Sequence, residues 1–187
     1  IRSSWRTGII LSGHTPSAES RRPLSVREMA VLSLLGALTF SAKMVMAQLP
    51  NIEPVSLMVM LLAVTYGWRG LYAVAIYVGL EFAVWGLGLW SFCYLYVWLI
   101  LFALALAFRR MTSPFGWAAL SGLFGLTFGA LCAIVYWIAG GWGAAVSWWL
   151  AGIPFDLIHG GGNFAIALVL FNPMRRLLAR LDRGGAA

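Results

Sequence analysis

The chain has 187 residues, 61% of them hydrophobic and 10% charged, and a formal net charge of +7. A soluble domain carries roughly 25% charged residues, so this composition excludes a soluble globular protein and implies a multi-pass membrane protein with little mass outside the bilayer. The positive excess is almost all arginine, with Lys43 the single lysine; it reads as topology rather than nucleic-acid binding, because no basic run is interleaved with aromatic residues on a soluble face.

In chain order, residues 1–22 are rich in Ser, Arg, Thr and Gly. Their longest apolar run, Ile9-Ile10-Leu11, is shorter than a signal-peptide core. This stretch is expected to be a disordered tail or sequence upstream of the true start, and it stays out of the fold reasoning. The membrane domain is expected over 23–187. A first span runs from about Arg27 to Leu49, and Pro50 and Pro54 bracket the loop that follows. Span two runs from Val55 to about Trp68, where Arg69-Gly70 ends it, and span three from Leu71 to about Leu87, with Gly86 and Gly88 in the turn. Span four, from Trp90 to Phe108, stops at Arg109-Arg110; span five runs from Phe115 to about Ala139. Gly140, Gly141 and Gly143 mark a loop, 144–151 reads as a short interfacial helix, and Gly152 and Pro154 open span six, which ends near Asn172-Pro173 ahead of a basic amphipathic tail.

With six spans, Arg21, Arg22, Arg27, Arg69, Arg109, Arg110, Arg175, Arg176, Arg180 and Arg183 all fall on one side. The positive-inside rule then puts both termini in the cytoplasm. Five or seven spans would scatter these residues. Glu53, Glu81, Asp156 and Lys43 cluster at the opposite, external end, among many Trp and Tyr residues.

Asp156, His159 and Asn163, in the stretch GIPFDLIHGGGNF, sit at i, i+3 and i+7 and share about 60° of one helical face. Polar groups within a membrane helix face a bundle interior or a water-filled cavity. A ligand cavity, a closed hydrogen-bond network and a metal site are all open readings of this face, although the membrane region holds no second histidine. Gly160, Gly161 and Gly162 permit close backbone approach. On span three, Tyr77, Glu81, Trp85 and Gly88 share a face, and Glu81 lies at the depth of Lys43, so the two are expected to pair, either to fix packing or to face a ligand. Gly122, Gly125 and Gly129 carry a GxxxG spacing suited to close helix packing, and Ser33, Ala37 and Ser41 form a small-residue stripe on span one. Cys93 and Cys132 have no metal-type spacing, and their pairing is left open. The chain carries no phosphate-binding loop and no HExxH or GxSxG signature.

Six short helices, a Pro-bracketed first outer loop, the small stripe on helix one and an outer polar cluster resemble the S components of energy-coupling factor (ECF) vitamin transporters. The resemblance covers about residues 24–181 and is carried by LPNIEPVSL, EFAVWGLGLWSFCYLYVW, FGLTFGALC and GIPFDLIHGGGNF; it leans toward the cobalamin-type branch. It implies a non-enzymatic subunit of the cell membrane that binds a vitamin or related micronutrient near the external face. It implies no cofactor, with ATP used only by partner subunits: a transmembrane T component and two cytoplasmic ATPases. The family's AxxxA stripe on helix one, which contacts the T component, corresponds here to Ser33 and Ala37. A cobalt or nickel S component is not expected, because the family's amino-terminal His motif has no match. On this reading Tyr77, Glu81, Trp85, Trp90 and Tyr94 form one wall of the site and Asp156, His159 and Asn163 the other, beneath a loop carrying Asn51 and Glu53. An intramembrane enzyme using Asp156 and His159, and a ligand-free scaffold subunit, are the alternatives.

Overall fold

The computed structural model describes residues 23–49 and 51–183. The expected tail over 1–22, with Arg21 and Arg22, lies outside the described residues, as does Pro50. Every regular element among the described residues is helical: α1 (Val26–Val45), α2 (Val55–Tyr66), a 3₁₀ turn (Gly67–Gly70), α3 (Leu71–Trp85), α4 (Leu89–Ala107) and α5 (Pro114–Arg183). Four stretches are long and apolar enough to cross a membrane: Val26–Val45, Val55–Trp85, Leu89–Ala107 and Pro114–Leu181.

Helix α1 starts on a reciprocal cap. Ser25 Oγ accepts the Glu28 N–H at 3.2 Å and the Glu28 carboxylate accepts the Ser25 N–H at 2.8 Å, which satisfies two of the donors every helix start leaves orphaned. Glu28 also pairs with Arg69 in the 3₁₀ turn, tying the start of α1 to the joint between α2 and α3. The helix ends at Val45, one turn short of the Leu49 expected from hydropathy; 46–48 form turns instead. Hydropathy does not register this, because Met46 and Ala47 at the start of the turn are themselves apolar.

Helix α2 is the centre of the bundle. Every residue from Val55 to Ala63 is buried, as expected of a helix apolar on all sides. Gly67 (φ 57°) closes it, and α3 returns against α1. The two helices meet at Gly36, where a Cβ would fall 2.9 Å from Ile76 Cβ, so only glycine lets them approach this closely. Gly86, at φ 77°, ends α3 in the left-handed conformation that favours glycine after a helix.

Helix α5 is one element interrupted at a single residue. Gly141 (φ 78°, ψ −175°) is non-helical and folds the 114–140 arm back along the 142–183 arm. Stacked pairs mark both ends of this antiparallel hairpin: Tyr136 on Trp148 at 3.9 Å and Trp117 on Phe171 at 4.4 Å. Between them a Cβ on Gly125 would lie 2.8 Å from the Gly160 backbone. The expected four-residue loop thus reduces to Gly141, and the helix runs unbroken through Gly152, Pro154 and Pro173 to Arg183. Pro154 does not start a helix here. Its missing N–H frees the carbonyl four residues back, at Leu150. Cys93 and Cys132 are buried free thiols.

Candidate functional site

One stripe of the 142–183 arm is buried: Asp156, His159, Gly160, Asn163, Ala167 and Phe171. Its spacing is that of a single helical face, and it turns three polar side chains toward the rest of the bundle, where they meet three different fates.

Asn163 is consumed by packing. It donates to Ser56 Oγ at 2.9 Å and to the Ser121 carbonyl at 3.4 Å, and all of these bonds are buried. Asp156 is half satisfied. Its Oδ1 accepts the Gly129 N–H at 2.9 Å, while Oδ2 is buried without a partner. His159 Nε2 is likewise buried without a partner. Its nearest carboxylate oxygen, Glu53 Oε1, stands 3.9 Å away, beyond hydrogen-bond reach. Buried polar atoms are almost always paired, so Asp156 Oδ2 and His159 Nε2 need an explanation.

Both residues line a cavity of about 310 Å³. Asn51 from the α1–α2 loop contributes to it, with Trp90 at the start of α4, Phe128 and Gly129 on the 114–140 arm, and Trp148, Ala151, Gly152 and Phe155 on the 142–183 arm. The loop is held over this end of the bundle by close packing: Ile52 lies against Gly162, where a Cβ would sit 3.2 Å from Ile52 Cγ1. Asn51 takes φ 54°, the left-handed conformation that asparagine tolerates better than most residues. The Phe128 ring and the His159 imidazole meet in a T-shaped arrangement with centroids 5.0 Å apart, and Trp90 contacts both Phe128 and Trp148 with centroids 5.8 Å apart. The cavity is therefore aromatic on its sides and polar where Asp156 and His159 meet it.

The expected ion pair is present, on the far side of this aromatic layer. Lys43 Nζ donates to both oxygens of Glu81 at 2.9 Å and to the Tyr94 hydroxyl at 3.0 Å. Tyr94 in turn packs against Tyr77, Trp90, Trp98 and Phe128. Glu81 is thus matched by a cation of its own, whereas Glu53 is not. Burial pushes the Glu53 carboxyl above its ordinary range, the Lys43 ammonium opposing that shift and the Glu81 carboxylate adding to it.

The geometry divides the sequence-derived candidates. Asn51, Trp90, Asp156 and His159 line the cavity, and Glu53 faces His159 from the loop. Tyr77, Glu81 and Tyr94 belong to the packed layer behind it. Asn163 belongs to the hairpin's attachment to α2. Trp85 is 63% exposed; it shares a face with Glu81, but α3 ends immediately after it and leaves the ring outside the bundle. Phe128, Gly129, Trp148 and Phe155 are lining residues that sequence reasoning did not assign. The signals were the GxxxG spacing and the Trp148-Trp149 pair, which become informative only once the hairpin register is known. On α1, Ser33 and Ala37 are partly exposed and Ser41 is exposed, beside the exposed Leu34 and Leu38 and away from the buried Leu32, Leu35, Gly36 and Thr39.

Among the described residues no hydrogen bond joins Asp156 to His159, and no group of three His, Cys, Asp or Glu side chains is placed to hold a metal ion. No protein-family model, curated protein or solved structure matches the chain.

Proposed function

We propose that the chain is the substrate-binding S component of an ECF-type importer for a vitamin or related micronutrient. On this reading the chain crosses the bilayer six times, the breaks at Gly67 and Gly141 dividing the two longest apolar stretches, with both termini in the cytoplasm. The cavity under the Asn51–Pro54 loop opens to the outside. The small-residue stripe of Ser33, Ala37 and Ser41, partly exposed beside the exposed Leu34 and Leu38, docks the T component, and two cytoplasmic ATPases supply the energy.

One observation carries the reading. Two buried polar atoms with no protein partner, Asp156 Oδ2 and His159 Nε2, belong to neighbouring residues that both line an aromatic-walled cavity of about 310 Å³. Small-molecule sites have this form: mostly apolar walls, a few directed polar groups and a volume upward of about 300 Å³. A cavity at the low end of that range favours a cargo smaller than a corrin. A scaffold subunit has no use for the two orphaned atoms. An acid–base pair would need Asp156 to orient His159, whereas Asp156 spends one oxygen on Gly129 and leaves the other unbonded.

The test is purification of the tagged chain from its native membrane, with mass spectrometry of what accompanies it, together with uptake of a vitamin panel by cells carrying wild type or Asp156→Ala. A T component and paired ATPases co-purifying, and one uptake activity lost in the variant, are the expected results. A chain that purifies without them, in cells whose uptake of every vitamin is unchanged by Asp156→Ala, would sink the proposal.

A further inference from the structure

The chain's acids and bases are unevenly shared between its two ends. Arginine is absent from residues 28–68 and 70–108, and from 111–174, so among the described residues the cavity end holds one Lys or Arg, Lys43, against three carboxyls: Glu53, Glu81 and Asp156. Lys43 is fully engaged by Glu81 and Tyr94. Among the described residues no Lys or Arg pairs with Asp156 or Glu53, and none lines the cavity. A buried carboxylate without a partner is costly, and the cost is removed by a counter-ion placed beside it.

The polar side chains among the residues that line the cavity are Asn51, Asp156 and His159. Asp156 Oδ2 is an acceptor when ionised. Glu53 Oε1 lies 3.9 Å from His159 Nε2, close enough for one donor to be shared between them. Around these groups stand Trp90, Phe128, Trp148 and Phe155, whose ring faces attract positive charge. A carboxyl on the wall of an aromatic-lined cavity that no Lys or Arg lines suits a flat cation that donates hydrogen bonds. It disfavours a carboxylate or phosphate, which would meet Asp156 and Glu53 with nothing to neutralise it.

We infer that the cavity takes a small planar organic cation, whose charged nitrogen group docks between Asp156 and Glu53 while its ring lies among Trp90, Trp148 and Phe155. This deepens the importer reading and rests on the same cavity. It assigns Asp156 and Glu53 as charge-recognition residues and Glu81 as structural. An inorganic metal ion is a poor alternative occupant, since no three ligating side chains converge there among the described residues.

The test uses the full chain in detergent micelles and three probes of one shape: benzamidine, benzamide and benzoate, which differ in charge. Saturation-transfer NMR reads weak binding to each. Benzamidine should bind at least about tenfold more tightly than benzamide, and benzoate should give no transfer. Asp156→Asn and Glu53→Gln should each reduce the benzamidine preference, and the double variant should remove it. Glu53 lies on the loop, so Glu53→Gln keeps the test decisive if Asp156→Asn fails to fold. Equal or better binding of benzamide or benzoate, no transfer to benzamidine at millimolar concentration, or a preference that survives in Glu53→Gln and in every variant that folds overturns the inference. The two proposals fail separately. Cation-selective binding by a chain that purifies without a T component and ATPases sinks the importer alone, whereas uptake of an anionic vitamin that depends on Asp156 sinks the cation alone.

Discussion

The Gly129 N–H donates to Asp156 Oδ1 at 2.9 Å across the α5 hairpin. A side chain at position 129 would strike the carboxylate it holds: a Cβ there falls 2.9 Å from Oδ1 and 3.0 Å from Cγ. Gly129→Ala should therefore displace Asp156, lower stability by about 1–3 kcal/mol as overpacking does, and weaken ligand binding. Gly125→Ala, whose Cβ meets the Gly160 backbone at 2.8 Å, should cost at least as much, because backbone cannot swing aside. Gly161→Ala meets nothing within 4 Å and should be neutral or slightly stabilising. Melting temperatures in detergent, taken for all three variants, check the ranking.

Asn163 separates packing from binding. Asn163→Ala leaves Ser56 Oγ buried without its donor and should cost about 1–3 kcal/mol. Because the two residues act as one pair, Ser56→Ala added to it should cost less than the sum of the single changes. Ligand affinity, measured on whatever fraction folds, should be unchanged. A large loss of affinity with no loss of stability would return Asn163 to the cavity wall.

The Lys43–Glu81 pair makes a prediction of opposite form. Breaking a buried pair by removing one partner costs about 3–5 kcal/mol when the survivor is fully buried. Glu81 approaches that limit, whereas the Lys43 side chain is 19% exposed, so Lys43→Met should be the more damaging single change. Lys43→Met combined with Glu81→Met should recover much of the loss. Thermal unfolding of the four-member cycle measures it.

Glu53 sets a pH dependence. Its carboxyl in the folded protein is pushed above its ordinary range, chiefly by burial, with Lys43 opposing and Glu81 reinforcing; His159 faces it, and the Tyr77 and Tyr94 hydroxyls also feel its charge. A raised carboxyl favours the folded state while it is protonated, and that contribution is lost as pH rises through the folded value. Wild type and Glu53→Gln should melt together at pH 4, and Glu53→Gln should melt higher at pH 7. The reverse order at pH 7 would show that Glu53 has a cationic partner after all.

Topology is open to direct labelling. In a background with Cys93 and Cys132 replaced, single cysteines at Ser25 and Ser113 should react only with reagents that enter the cytoplasm. Cysteines at Asn51 and Ser147 should react from outside. Labelling of Ser113 and Ser147 from the same side would reduce the number of crossings.

Much of this layout could be read from the chain because lipid enforces simple rules. Helix boundaries at Val55, Trp85 and Ala107 fall close to where Pro, Gly and Arg punctuate the sequence. The stripe of Asp156, His159 and Asn163 follows from helical periodicity alone, and matched depth was enough to pair Lys43 with Glu81. What periodicity could not supply was the identity of the facing helix. Asn163 and Asp156 look equivalent on a helical wheel, yet one meets Ser56 and Ser121 while the other meets a glycine N–H and an open space. Trp85 looked like a wall residue because helical spacing extends indefinitely on paper, whereas α3 stops at Gly86.

The sequence separations of the bonds made by Asp156 and Asn163 bear on how the bundle assembles. Asp156 reaches a partner 27 residues back, whereas Asn163 reaches one 107 residues back. Contacts between nearby segments close smaller loops and cost less entropy to form. The hairpin can therefore zip about Gly141 as a local unit, from the Tyr136–Trp148 stack inward, before it docks on α2. Until that docking occurs, Ser56 sits on a helix apolar on every side with no partner from the last arm. A ribosome that stops short of residue 156 leaves a chain with neither Asp156 nor His159, so the proposed binding site is among the last features of the chain to be made.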